Sequence, residues 1–292
     1  MFAVTTTGFD AGGAVDTEHN RFIFDRLAAA GVGAYIGSAS PGEGHSLSLA
    51  ETEALFVLAR DTMAGRASAR AMGAEPRSAQ ALLPTIRLAE QVGLDAMQLY
   101  SIDVAHGNSP NPAELERYFR TLLEAMAMPA VISAHVASGY LVPIDVADRL
   151  LGDYPHLIGF NVTSPDMGYV KRFVQMVDGR ADVHVGGPMQ ALNVLSFGGQ
   201  GFLCTEAMFI PEECFAVMQA WDAGDLRACA AGYDRIMTLF ALNRWPGGSL
   251  RFIKASFDAL GWGGSGLRPP WQPLDGALVP EIREALHAFG LR

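Results

Sequence analysis

The sequence predicts an α/β fold, a (β/α)8 TIM barrel followed by a C-terminal helical extension. Three observations predict it. Short apolar, β-prone runs alternate with longer helical patterns eight times over residues 1–211. That rhythm favours a parallel barrel with helices outside. The Gly-rich turn that marks a doubly wound open sheet is missing after the first run. From residue 212 onward the pattern is helical only.

The elements follow in order. Residues 2–4 form the first strand. Residues 18–30 form a helix, with Phe22, Phe24, Leu27 and Ala28 at helical spacing and Gly31-Val32-Gly33 as its stop. A strand at 34–36 ends at Gly37. The next helix, 49–63, opens with Ser48 as N-cap and Glu51 three residues on, a capping box. Strands are then expected at 67–72, 96–100, 130–133, 157–160, 183–185 and 201–204. Between them lie helices at 78–92, 112–127, 144–151, 168–177 and 188–197. The tail carries helices at 212–221, 226–242, 249–260 and 280–289. Residues 1–211 are therefore read as the barrel and 212–292 as an extension packed on it.

Composition narrows the function. The chain has 292 residues, half of them apolar, which suits a large core and excludes a disordered chain. A net charge of −10 argues against a nucleic-acid partner held through phosphates. No run reaches the length of about 18–20 apolar residues that a membrane helix needs, and the N-terminus lacks a signal-peptide pattern. Three cysteines, Cys204, Cys214 and Cys229, have no ligand spacing and read as small core residues of a reducing compartment. The expectation is a cytoplasmic protein without membrane or nucleic-acid partners. Lys171 and Lys254 are the only lysines, which limits any chemistry needing a reactive amine.

In such barrels the chemistry sits in the loops after the strands. The loop from Gly37 to Ser46 is rich in glycine and hydroxyl side chains, and reads as a carboxylate or phosphate cradle or as a flexible connection. Within it, Glu43 and His45 read as an acid/base pair or as a rim salt bridge. His135, after the fifth strand, is a candidate general base, its ordinary pKa suiting proton transfer near neutrality, or a mouth histidine bonded to backbone. Other polar groups at strand ends are Thr7, Asp103, His106, Asn161, Thr163, Gly186 and Glu206. His106, Asp103, Glu206 and His135 lack any metal-ligand spacing such as HxH, so no metal or cofactor is expected.

These motifs taken together resemble the dihydrodipicolinate synthase / N-acetylneuraminate lyase family over essentially the whole chain. Thr6-Thr7-Gly8-Phe9 is similar to the family's Thr-Pro-Phe opening. Gly42-Glu43 with Ser46-Leu47 and Glu51 is similar to its Gly-Thr-Thr-Gly-Glu segment. The 201–211 run, Trp221-Asp222-Ala223-Gly224-Asp225, Lys254-Ala255-Ser256-Phe257 and Leu267-Arg268-Pro269-Pro270 match its later motifs. The resemblance implies aldol-type chemistry on 2-oxo acids through a lysine imine. It also implies a homodimer or homotetramer. At the lysine's place, after Ile158-Gly159-Phe160, this chain has Asn161, whose amide nitrogen forms no imine. Lys171 and Lys254 fall on helices, neither placed to substitute. The family's tyrosine relay at the end of strand five is absent from the stretch Val131-Ile132-Ser133-Ala134-His135-Val136, and Asp103 and Val104 stand in the place of its tyrosine pair after strand four, Tyr100 lying upstream.

The expected function is a lyase on a small or medium oxo or hydroxy acid, through retro-aldol, aldol or hydration/dehydration chemistry. It would stabilise an enolate without a Schiff base. Asn161 would donate to the substrate oxygen, and His135 would move the proton with Glu206 or Glu43. Ser38, Ser40 and Thr7 would hold the carboxylate, with Asp103, His106 and Gly186 lining the site. The alternatives are an inactive ligand-binding or regulatory barrel and a metal-dependent aldolase.

Overall fold

A computed structural model describes residues 1–104, 107–135 and 138–292. Eight strands pair in parallel in chain order as a closed barrel. They are β1 (Phe2–Val4), β2 (Gly33–Ile36), β3 (Ala69–Met72), β4 (Ala96–Leu99), β5 (Ala130–His135), β6 (Leu157–Thr163), β7 (Asp182–Gly186) and β8 (Gly201–Cys204). Between them run α1 (Thr17–Ala29), α2 (Leu49–Met63), α3 (Ala79–Val92), α4 (Pro112–Glu124), α5 (Ile144–Asp153), α6 (Met167–Val177) and the short α7 (Ala191–Ser196). The tail is α8 (Pro211–Asp222), α9 (Leu226–Ala241), α10 (Gly248–Leu260) and α11 (Val279–Phe289). Among the described residues, no helix is long and apolar enough to cross a membrane.

Local chemistry explains the boundaries. Ser48 caps α2 by accepting from the Glu51 amide while Glu51 accepts from the Ser48 amide, so two orphan donors are satisfied reciprocally. Asn111 and Glu114 repeat the device on α4, with Pro112 in the first turn. Gly93 closes α3 in the left-handed conformation, which costs glycine nothing. Two elements are longer than the sequence suggests. β5 runs on to His135 and β6 to Thr163, so His135, Asn161 and Thr163 are strand residues and not loop residues. Their polar side chains mask the strand pattern, because each faces inward where an apolar residue is the norm.

The chain forms two compact units, one of Met1 with residues 69–204, the other of residues 2–68 with 205–292. In the first, strand alternation separates two faces cleanly. Met97, Leu99, Ala130, Ile132, Ala134, Phe160, Val162, Val183 and Val185 are all apolar and buried. They form the outward face. Phe160, for example, meets Phe173 of α6 edge-on at 5.0 Å. The second unit packs β1 and β2 with α1, α2 and the tail helices. All three cysteines are buried thiols. Trp245 is buried and stacked on Phe252, Trp262 packs on Phe209 and Phe257, and Trp271 is exposed.

Candidate active site

The inward face of β4–β7 is the chemically unusual surface. The register pairs Gln98 with Val131, then Ser133 with Asn161 and His135 with Thr163, and Asn161 with His184. Partners in register point to one side of a sheet. Gln98, Ser133, His135, Asn161, Thr163 and His184 therefore share the barrel interior, which branched apolar residues usually fill. The Cβ geometry agrees. A side chain at Gly186 would strike Thr163 Oγ1 at 2.7 Å and approach His135 Cδ2 at 3.9 Å. Gly186 thus leaves open the space that Thr163 and His135 border.

Each group has a defined state. Burial holds the His135 imidazole below its ordinary pKa, which keeps it neutral at pH 7. Thr163 Oγ1 accepts from the Gly186 amide at 2.9 Å, so its own O–H points elsewhere as a donor. Asn161 is buried, and its Nδ2 donates to Gln98 Oε1. The donor expected to meet a substrate oxygen is therefore engaged within the protein, and Asn161 Oδ1 is left buried with no partner among the described residues. Deeper in, His184 is pushed down to about 3 by burial, then by the α-amino group and Arg70. Lys171 lies on α6, over the Phe197 ring at 5.3 Å.

Asp103 leans toward Arg77 at 3.4 Å, a solvent-exposed ion pair. His106 lies outside the described residues. The Tyr140 hydroxyl donates to the Ile102 carbonyl at 2.9 Å, bringing a phenol to the segment after β4 that the sequence offers no signal for. Gln98 and Ser133 also escape the sequence reading. Their signal is faint: one polar residue at an alternate position in an otherwise apolar run.

In the other unit, the segments after β1 and β2 are fixed from below by α10. Lys254 is buried, and its Nζ donates to Thr7 O at 2.5 Å and Gly264 O at 3.1 Å and lies 3.0 Å from Glu43 Oε2. Two backbone carbonyls thus accept from it and Glu43 stands beside it as an ion pair, while burial lowers the Lys254 pKa and Glu43 opposes the shift. Sequence reasoning places Lys254 on a remote helix; its Nζ instead reaches the loops after β1 and β2, where protein oxygens surround it. Glu43 is fully buried, and burial raises its pKa while Lys254 opposes the shift. Its ion pair is with Lys254, not His45, which is exposed. Arg268 adds a second clamp, bonding Glu51, the Ser46 carbonyl and the Gly13 carbonyl. Its guanidinium, then the Ser48 amide, holds Glu51 down to about 2.

The loop after β2 is wound tightly. Gly42 N donates to Ser38 Oγ at 3.0 Å, Gly44 N to Ser38 O at 2.7 Å and Glu43 N to Ala39 O at 3.2 Å. These three amides serve the loop itself, which corrects the expectation that they are free for an anion. Thr7 Oγ1 donates to Gly42 O at 2.6 Å. Ser38 is buried and Ser40 exposed. Glu206 is buried beside Thr205, whose hydroxyl lies 3.3 Å from Glu206 Oε1. Among the described residues, no three His, Cys, Asp or Glu side chains cluster as a metal site.

Comparison with known proteins identifies the family. The 4-hydroxy-tetrahydrodipicolinate synthase of Hyphomonas neptunium is 29% identical over 286 residues, covering 96% of this chain and 94% of that protein. The enzyme of the same name from Methanopyrus kandleri is 27% identical over 283 residues, covering 95% and 91%. Dihydrodipicolinate synthase from Aquifex aeolicus shares the fold with a TM-score of 0.90 at 19% identity, over 99% of this chain and 97% of that one. YagE, a prophage protein of the same family from E. coli K12 solved with pyruvate, has a TM-score of 0.89 at 20% identity, over 100% and 99%. The model of the Dihydrodipicolinate synthetase family matches residues 1–289, and the chain belongs to that family.

Proposed function

We propose that the protein is a lyase acting on a small or medium oxo or hydroxy acid by enolate stabilisation, without a lysine imine. The observation that carries the reading is the polar inner face of β4–β7, with Asn161 at its centre and an apolar outer face behind it. A carboxamide there anchors a substrate oxygen. The neutral His135 is the base. In the retro-aldol direction it takes the substrate's hydroxyl proton. The freed electron pair forms a new C=O as the adjacent C–C bond breaks, and that bond's electrons move into the neighbouring carbonyl as an enolate. His135 then returns the proton to carbon. The Thr163 O–H, whose oxygen accepts from the Gly186 amide, pairs in register with His135 and is the neutral donor to the substrate oxygen, the role expected of Asn161 from the sequence. Such a donor typically contributes about 3–4 kcal/mol to an oxyanionic transition state.

Lys254 supports the imine-free reading through its position, because its Nζ is buried and engaged by Thr7 O, Gly264 O and Glu43 within the protein. Glu43, tied to it, positions the loop and does not shuttle protons. Glu206, Ser38 and Ser40 remain proposed substrate contacts, and the assembly is proposed to be a homodimer or homotetramer. The relatives named 4-hydroxy-tetrahydrodipicolinate synthase support aldol-type chemistry on this scaffold. The test is to incubate the protein with pyruvate and borohydride and weigh it. No adduct is expected, and a stable adduct on Lys171 or Lys254 would overturn the mechanism. Turnover that is lost with a chelator and restored by a divalent cation would favour a metal-dependent aldolase instead.

A further inference from the structure

The buried amide pair inside the barrel carries information about the substrate. Gln98 on β4 and Asn161 on β6 lie on alternate strands, and alternate strands contribute to one layer of a barrel interior. Both are almost wholly enclosed. Either would be costly to bury alone. The bond from Asn161 Nδ2 to Gln98 Oε1 settles half of the matter and fixes which way the Asn161 carboxamide is turned. Oδ1 is the atom left over, buried and without a hydrogen-bond partner among the described residues. Asn161 sits on the face shared with His135 and Thr163, one register step below them. A buried carbonyl oxygen of this kind is normally matched by a donor.

We propose that Gln98 is a positioning residue that presents Asn161 Oδ1 to the ligand, so that the site takes a 2-hydroxy acid in preference to the matching 2-oxo acid. The inference rests on the proposed function, in that it places the ligand on the inner face of β4–β7. The physical reason is donor count. The 2-hydroxyl of a 2-hydroxy acid, a different group from the hydroxyl that His135 deprotonates, donates to Oδ1 and satisfies it. The carbonyl of a 2-oxo acid has no proton there, so two acceptors face each other and Oδ1 stays unsatisfied. An unsatisfied buried acceptor weakens binding by about tenfold or more. Sites built around a substrate hydroxyl discriminate strongly for this same reason. Thr163 remains available to the carboxylate or to a second oxygen, so the preference is set at Asn161 and not by the site as a whole.

The experiment is calorimetric titration with matched pairs: D- and L-lactate against pyruvate, and D- and L-2-hydroxyglutarate against 2-oxoglutarate. In the wild type, a hydroxy acid of at least one pair should bind about tenfold or more tighter than its oxo partner. Gln98→Leu releases the carboxamide to present either edge, and should collapse that ratio toward one without abolishing binding. Gln98→Glu keeps an acceptor for Nδ2 and should restore the ratio. A fold defect would weaken both members alike and would not be rescued selectively. Oxo acids bound equally or better, no binding by any pair, or a ratio unchanged in Gln98→Leu would each overturn the inference. Its failure is separable from failure of the mechanism. An oxo acid that binds best yet leaves no adduct with borohydride sinks only the hydroxyl preference. An adduct sinks the imine-free mechanism whichever acid binds best.

Discussion

At the scale of single residues, the proposed reaction turns on His135 as base, with Thr163 as donor and Asn161 as anchor. Burial favours the neutral imidazole, so the base form is present at neutrality and disappears only as pH falls through a pKa below about 6.5. The pH profile of kcat/KM should be flat through pH 7 and fall on the acid side, and His135→Ala should abolish turnover on any substrate found by a thermal-shift screen. Unchanged rates in that variant would remove His135 from the chemistry. Asn161→Lys offers a gain-of-chemistry test. An amine at this inward position should become trappable with pyruvate and borohydride at residue 161, where the wild type shows nothing. The sequence made Asn161 and His135 legible because both break apolar strands in a chain with two lysines. It did not make Gln98 legible, since a single glutamine in Ala-Met-Gln-Leu carries no spacing signal. Nor did it reveal which amide atom of Asn161 is engaged, because that depends on a partner 63 residues away.

At the scale of elements, the strands and helices were readable to within a few residues, because capping boxes and glycine stops act locally. The misjudged ends of β5 and β6 have one cause: inward polar residues imitate a loop. The connection between α10 and the loops after β1 and β2 was not readable, since a lysine on a helix gives no hint that it runs inward under full burial. It makes a sharp prediction. Lys254→Met leaves the Glu43 carboxylate buried without its cation and should cost about 3–5 kcal/mol, seen as a lower denaturant midpoint. Pairing it with Glu43→Leu should recover most of that loss, because no uncompensated charge remains. A double variant as unstable as the single would show that the clamp acts through packing alone.

For the whole molecule, the polar barrel interior sets the response to acid. His184 is neutral in the folded chain down to about pH 3 and takes up a proton near pH 6.5 once unfolded. Its contribution to stability is therefore complete above about pH 6.5 and is lost as pH falls toward 3, at up to about 1.4 kcal/mol per pH unit. His184→Asn should flatten the acid limb of a stability curve measured by denaturant titration between pH 7 and 4; an unchanged slope would refute the assignment. The fold class was legible at this scale from eight alternations, while the grouping of residues 2–68 with 205–292 was not, since periodicity says nothing about which distant segments condense together. The Lys254 clamp bears directly on how the gene can be cut. A fragment ending at residue 211 would keep the buried acid of the second loop yet discard the cation that neutralises it. Such a fragment should be recovered insoluble or partly unfolded, so the helical tail is a working part of the barrel and not a removable appendage.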